Sequence, residues 1–203
     1  TGAAEETPGH PVWTMRQEND RILAFIHDRV APDVKRARTL NESSSNEECA
    51  GVAAILKADM DAFDEVFVHY KRKEELLFPH LERHDITGPS KVMWGKDDEV
   101  RDAIDQATEL AATDNADKTA VAAAADAAVE GVEGMIYKEE NILIPMMAEQ
   151  FDTMEWMAVA EDEPDIGFVF IDTPQKWVPS MNDLLAATAK HEAQRAAGEV
   201  EEK

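Results

Sequence analysis

The 203-residue chain has one cysteine and, against 43 Asp and Glu, only 20 Lys and Arg. A single thiol, Cys49, excludes an intramolecular disulfide, a cysteine-built zinc site and an iron–sulfur cluster. The shortage of positive charge leaves a formal net charge of −23, which repels nucleic-acid backbones and anionic membrane surfaces and argues against both as partners. No apolar run reaches the roughly 20 residues of a transmembrane helix. The opening TGAAEETPGHP lacks the basic and apolar regions of a signal peptide. The expectation is a soluble, cytoplasmic protein. The dense carboxylates are those expected of a halophilic protein, kept hydrated while salt screens their repulsion, the other reading being a merely acidic mesophile protein. A glycine-rich phosphate loop, a nucleophile elbow and a dinucleotide fingerprint are also missing, so no motif demands an enzyme.

What the sequence does contain is helical periodicity. Four long amphipathic stretches cover about residues 11–30, 47–84, 90–112 and 119–150, with Gly88 and Pro89 read as stop signals after the second. Short connections between long helices predict an all-α, antiparallel up-down four-helix bundle over residues 1–150. Residues 151–203 form an extension packed on the bundle. It comprises a short helix from about Thr153, a segment DIGFVFIDTP expected as a short strand or extended cover, and a final helix from about Met181.

Two segments echo each other: KEELLFP at 73–79 and KEENILIP at 138–145. On an ideal helix each residue advances about 100°. The apolar stripe of the second helix (Leu56, Phe63, Tyr70, Leu77, Leu81) then centres Glu74 and leaves Lys73 and Glu75 off it. On the fourth helix (Val132, Met135, Ile136, Leu143) it centres Glu139, with Glu140 about 80° away. Aligned on Lys-Glu-Glu, Glu74 corresponds to Glu139 and the prolines fall one position out of register. Asp97 sits at the centre of the third stripe with Arg101 beside it, while Glu18 and Asn19 flank the first. Inward acids on facing helices must be neutralised. A pair of iron or manganese ions held by carboxylates is one way to do so. Pairing of Asp97 with Arg101, with protonated or water-bridged glutamates elsewhere, is the other.

Among the histidines, His69 lies about 140° from Glu74 on an ideal helix, whereas Tyr70 and Glu74, four apart, share a face. His80 and His84 have the i, i+4 spacing of a metal pair but sit at a helix end, where a charge–dipole role is common. His10 precedes Pro11, positioned to cap the helix or enter the site from its open end. His27 and His191 read as surface residues.

The segments GHPVWTMRQEN, HYKRKEELLFPHLERH, VMWGKDDEVR and YKEENILIPMM together resemble the hemerythrin/HHE cation-binding superfamily, nearest the branch found beside PAS sensor domains. The resemblance runs over about residues 8–178. It implies a hemerythrin-like bundle with a non-haem iron centre, single or di-iron, with Mn as the other candidate. It further implies a small diatomic ligand (O2 or NO) or peroxide, bound, sensed or scavenged. Glu74, Asp97 and Glu139 are the expected metal ligands, with His69, His10, Tyr70, Glu18 and Glu140 as candidates to complete the shell. The chain departs from the pattern at Trp13 and Asp97, where relatives have histidine, at Met135, and at Lys73, which follows His69 where the His-x-x-x-Glu motif has its glutamate. Those departures support an alternative: a metal-free bundle acting as an interaction or regulatory module, with a protein partner or a second copy of the chain.

Overall fold

A computed structural model describes residues 2–201. The first long helix spans residues 11–39, longer than the periodicity predicts, and consists of α-helical Pro11–Phe25, π-helical Ile26–Val30 and α-helical Ala31–Thr39. The second spans residues 46–83. It begins at a capping box in which Ser45 and Glu48 exchange side-chain and backbone hydrogen bonds, and a turn after Phe63 interrupts it. From Val66 it continues to Arg72, a π segment Lys73–Leu77, and Phe78–Arg83.

The third helix is Gly88–Ala112. Gly88 and Pro89 therefore open this helix instead of stopping the one before. Proline has no N–H to lose in a first turn, where that donor would be unpaired anyway. The fourth helix, residues 118–150, starts under an Asp117 cap and contains the π segment Glu139–Leu143. The third helix packs along the fourth and the second, and the first packs against the fourth and the second. The four enclose one continuous apolar core.

The three π segments share one cause. Each begins six residues before a proline: Ile26 before Pro32, Lys73 before Pro79, Glu139 before Pro145. The proline ring clashes with the carbonyl four residues back and offers no N–H, so the turn before it widens to i→i+5 bonding. Widening changes the facing of every residue within it. Lys73, expected off the stripe, is 1% exposed.

A fifth helix, Thr153–Ile166, is capped by an Asp152–Glu155 box and packs against the first and second helices. The segment 167–180 is an irregular cover, and no strand occurs among the described residues. Its apolar residues lie down on the bundle without pairing edges: Val169 is fully buried, and Phe170, with φ of +55°, packs at a tilt against Phe25 with ring centres 5.1 Å apart. The last helix, Met181–Glu201, docks on the fifth. No described helix is long and apolar enough to cross a membrane.

Candidate metal centre and its ion network

Where the four helices converge, the core is charged. Glu18, His69, Lys73, Asp97 and Glu139 are each no more than 1% exposed, and Arg72 is 3% exposed. His69 lies at the centre. Its Nδ1 is 2.6 Å from Glu18 Oε2 and its Nε2 is 2.9 Å from Glu139 Oε2. Two carboxylates on one ring require protons on both nitrogens, so His69 is an imidazolium. Burial pulls its pKa down, but Glu139 and Glu18 outweigh it and raise the group to about 9.

Lys73 enters one turn after His69. Its Nζ donates to Asp97 Oδ1 at 2.7 Å and to Glu139 Oε1 at 2.6 Å, and lies 4.5 Å from the centre of the Tyr70 ring. Desolvation would expel that charge, but Glu139 and Asp97 keep the ammonium protonated above the ordinary lysine value. Glu139 is held well below the ordinary range, because His69 and Lys73 together overcome its burial. Asp97 is pushed up to about 7, because burial, with Glu139 and Glu74 beside it, outweighs Lys73. Two buried polar atoms here lack a hydrogen-bond partner: Asp97 Oδ2 and the Tyr70 hydroxyl.

A second layer ties the centre to the cover. Arg72 donates to Glu18 through both terminal nitrogens, donates to the Gly167 carbonyl at 2.7 Å, and places Nε 3.4 Å from Glu163. Glu18 also accepts from the Val169 N–H at 2.7 Å. Burial raises Glu163 to about 7 despite Arg72.

The remaining expected ligands lie at the edge or elsewhere. Glu74 is buried, but it faces Arg101, which clasps it through two nitrogens at 2.7 and 2.9 Å. Arg101 thus pairs with Glu74 and Asp98, not with Asp97, because the widened turn hands Asp97 to Lys73. Glu140 binds Asn19 and Arg16 on the partly open flank. Tyr70 lines the centre with its ring. His10 is remote from it: its Nδ1 accepts from the Val12 N–H, capping the first helix, and its ring packs between Trp156 and Trp177. His80 and His84 share Glu155, and His27 is exposed beside Glu133.

Lys73 and Arg72 lie off the stripe that ideal-helix geometry predicts. The signal that finds them is the proline. Counted back six residues from Pro79 and Pro145, Lys73 matches Glu139 and Glu74 matches Glu140. His69 and Lys73 also have the i, i+4 spacing that puts two side chains on one face.

Fold and site together define a helical bundle whose inward carboxylates meet a resident set of cations. The profile of the hemerythrin HHE cation binding domain matches residues 10–147, and the chain belongs to that family. No curated protein matches it. Such a domain implies a bound cation, typically iron, and the residues present do not fit one. Both nitrogens of His69 are committed to carboxylates, and the Lys73 ammonium lies between Asp97 and Glu139 where an ion would have to sit. Among the described residues no group of three or more His, Cys, Asp and Glu is arranged to hold a metal ion.

Proposed function

We propose that this is a metal-independent member of the HHE family, in which the Lys73 ammonium substitutes for the metal cation and the bundle serves as an interaction or regulatory module. The observation that carries the reading is the Lys73 contact pair with Asp97 and Glu139 at full burial. It supports the view that the inward carboxylates are neutralised by the chain's own charges. Glu18, Glu74, Asp97 and Glu139 face His69, Arg72, Lys73 and Arg101, anion for cation. Since the same network reaches Gly167 and Val169, it also fixes the cover that a partner protein or a second copy of the chain would meet.

Iron binding with O2, NO or peroxide as the small-molecule ligand is the second reading. The family match favours it, as do the unpartnered Asp97 Oδ2 and Tyr70 hydroxyl. Metal analysis separates the two. Protein expressed in iron-supplemented medium and purified without chelator should contain only trace Fe and Mn and show no visible band on exposure to O2 or NO. Stoichiometric iron that Glu139→Gln depletes would replace the first reading with the second.

A further inference from the structure

A cavity of about 240 Å³ opens between the residues before the first helix, the start of the fifth and the last helix. It shares no lining residue with the ion network. His10 lies 4.7 Å from Trp177 and 4.8 Å from Trp156, and Phe151 lies 4.8 Å from Trp156, ring centre to ring centre. These planes cross at 83°, 54° and 54°, so the rings meet as the walls of a box and not as a stack. Gly9 makes the corner possible. At its φ of +90° a side chain would come within 2.1 Å of the Gln175 carbonyl oxygen and 3.1 Å of the Trp177 nitrogen. Nδ1 of His10 accepts from the Val12 N–H and so carries no proton, and burial keeps the ring neutral by lowering its pKa to about 4. The proton is therefore on Nε2, and among the described residues no group accepts it. The rim is acidic. Asp152 is engaged by its helix cap and by His191 at 2.8 Å, and Asp183 by the Ser180 hydroxyl at 2.5 Å. Glu5 has no partner among the described residues, and Lys190 is the one cation in the lining.

We propose that this cavity binds a small quaternary ammonium cation carrying an oxygen acceptor, of the choline type. Each part of the lining selects part of that chemistry. Aromatic rings attract a cation through their quadrupoles, most strongly where water is excluded. The rim carboxylates add a field that favours the same sign. A primary ammonium would turn N–H donors toward the rings and the methyl groups of Ala148 and Ala187, and unpaired buried donors are costly. A metal ion finds no set of three ligands among the described residues. A methylated nitrogen has no N–H to satisfy and offers apolar methyls to the rings. The Nε2–H of His10 then donates to the ligand's oxygen, which gives that donor its partner. Since the lining comes from the bundle and from the last helix, an occupant bridges the two.

The site does not depend on what neutralises the centre, and iron bound there would leave it untouched. The test is isothermal titration calorimetry of the full chain at fixed ionic strength. Choline chloride should saturate one site per chain with a Kd of about 1 mM or tighter. Dimethylbutanol, which has carbon in place of the nitrogen and no charge, should bind at least about tenfold more weakly. Tetramethylammonium, which lacks the oxygen, should bind about threefold more weakly than choline. Trp177→Leu should weaken choline about tenfold, and Glu5→Gln combined with Asp183→Asn about threefold. The absence of saturable heat overturns the proposal. Equal binding of choline and dimethylbutanol also overturns it, because the cavity would then be merely apolar. Choline binding unchanged by Trp177→Leu does the same, by assigning the heat to counterions on the acidic surface. Should Trp177→Leu lose helicity, the Glu5 and Asp183 double variant takes its place, and an unchanged affinity there is the contrary result.

Discussion

Segments 73–79 and 139–145 have the same backbone and opposite charge at the position that matters. Each opens a π turn six residues before its proline, each has glutamate second, and each buries its first residue. That first residue is Lys73 in one and Glu139 in the other, and they bind each other at 2.6 Å. The segment 26–32 of the first helix has the same frame with Ile26, an apolar residue, buried first. In the second position Glu74 and Glu140 both turn to the flank, to Arg101 and to Arg16 with Asn19. The backbone fixes which position looks inward, and the side chain there decides what the core can hold. Two acids would leave a cation to be supplied from outside. An acid opposite a lysine supplies it from within.

The comparison breaks most severely at Lys73. Removing one partner of a buried ion network leaves the other charged and unpaired, which costs about 3–5 kcal/mol. Lys73→Met should therefore lower the denaturant midpoint by that equivalent, and recombining it with Glu139→Gln should recover part of the loss. A double variant no better than the single one would mean the two residues are not coupled. Arg72→Met removes the donor to Glu18 and to the Gly167 carbonyl, with an expected loss of about 3 kcal/mol. It should also quicken proteolytic cutting within 167–180; an unchanged cutting rate would detach the cover from the network.

Acidity probes the same cluster with a defined sign. His69 is raised from 6.5 to about 9 by Glu139 and Glu18, so its contribution is complete below pH 6.5 and is lost as pH climbs through 9. Asp97 and Glu163, both pushed up to about 7 by burial, act in the same direction: above their ordinary values the unfolded chain has lost protons that the fold retains. Glu155 works oppositely. It is lowered to about 2 by His80, the Asp152 N–H and His84 against its burial, and its stability disappears as pH falls from 4.5 through 2. Thermal melts should show greatest stability in mildly acidic buffer and a decline toward alkaline pH, and His69→Gln should flatten the alkaline limb. A melt that rises steadily from neutral to alkaline pH contradicts the assignment. The smallest effects belong to the second positions. Glu74→Gln should cost about 1–2 kcal/mol for its two-pronged contact with Arg101. Glu140→Gln, whose partners are more exposed, should cost less than about 1 kcal/mol in equilibrium unfolding.

Helicity and element order were legible because long stripes at period 3.6 and short polar connections survive local irregularity. The centre was legible only in part. Glu139, Asp97 and His69 were named from the sequence and do lie together. On an ideal helix Lys73 falls outside and Glu74 at the centre; the turn that proline widens reverses the two. Aligning the two segments on Lys-Glu-Glu matched residue types, whereas aligning on proline matches backbone geometry, and geometry determines facing. The Arg72 bridge from Glu18 to Gly167 spans 149 positions of sequence, and no periodicity signals it. Of the two readings of DIGFVFIDTP, short strand or extended cover, the cover is the one that forms, because its apolar residues lie on the bundle, where no strand among the described residues offers a ladder.

The central claim is that the Lys73 cation stands where the family's metal would. The most direct test titrates Fe(II) anaerobically into the unaltered protein and into Lys73→Glu while following the melting temperature. The lysine's own chain should show no shift. Lys73→Glu, with His69 and an added carboxylate converging on Asp97 and Glu139 and no ammonium between them, should be weakly stable alone and gain several degrees on binding iron. A metal-dependent rise in the unaltered protein, abolished by Glu139→Gln, would contradict the account.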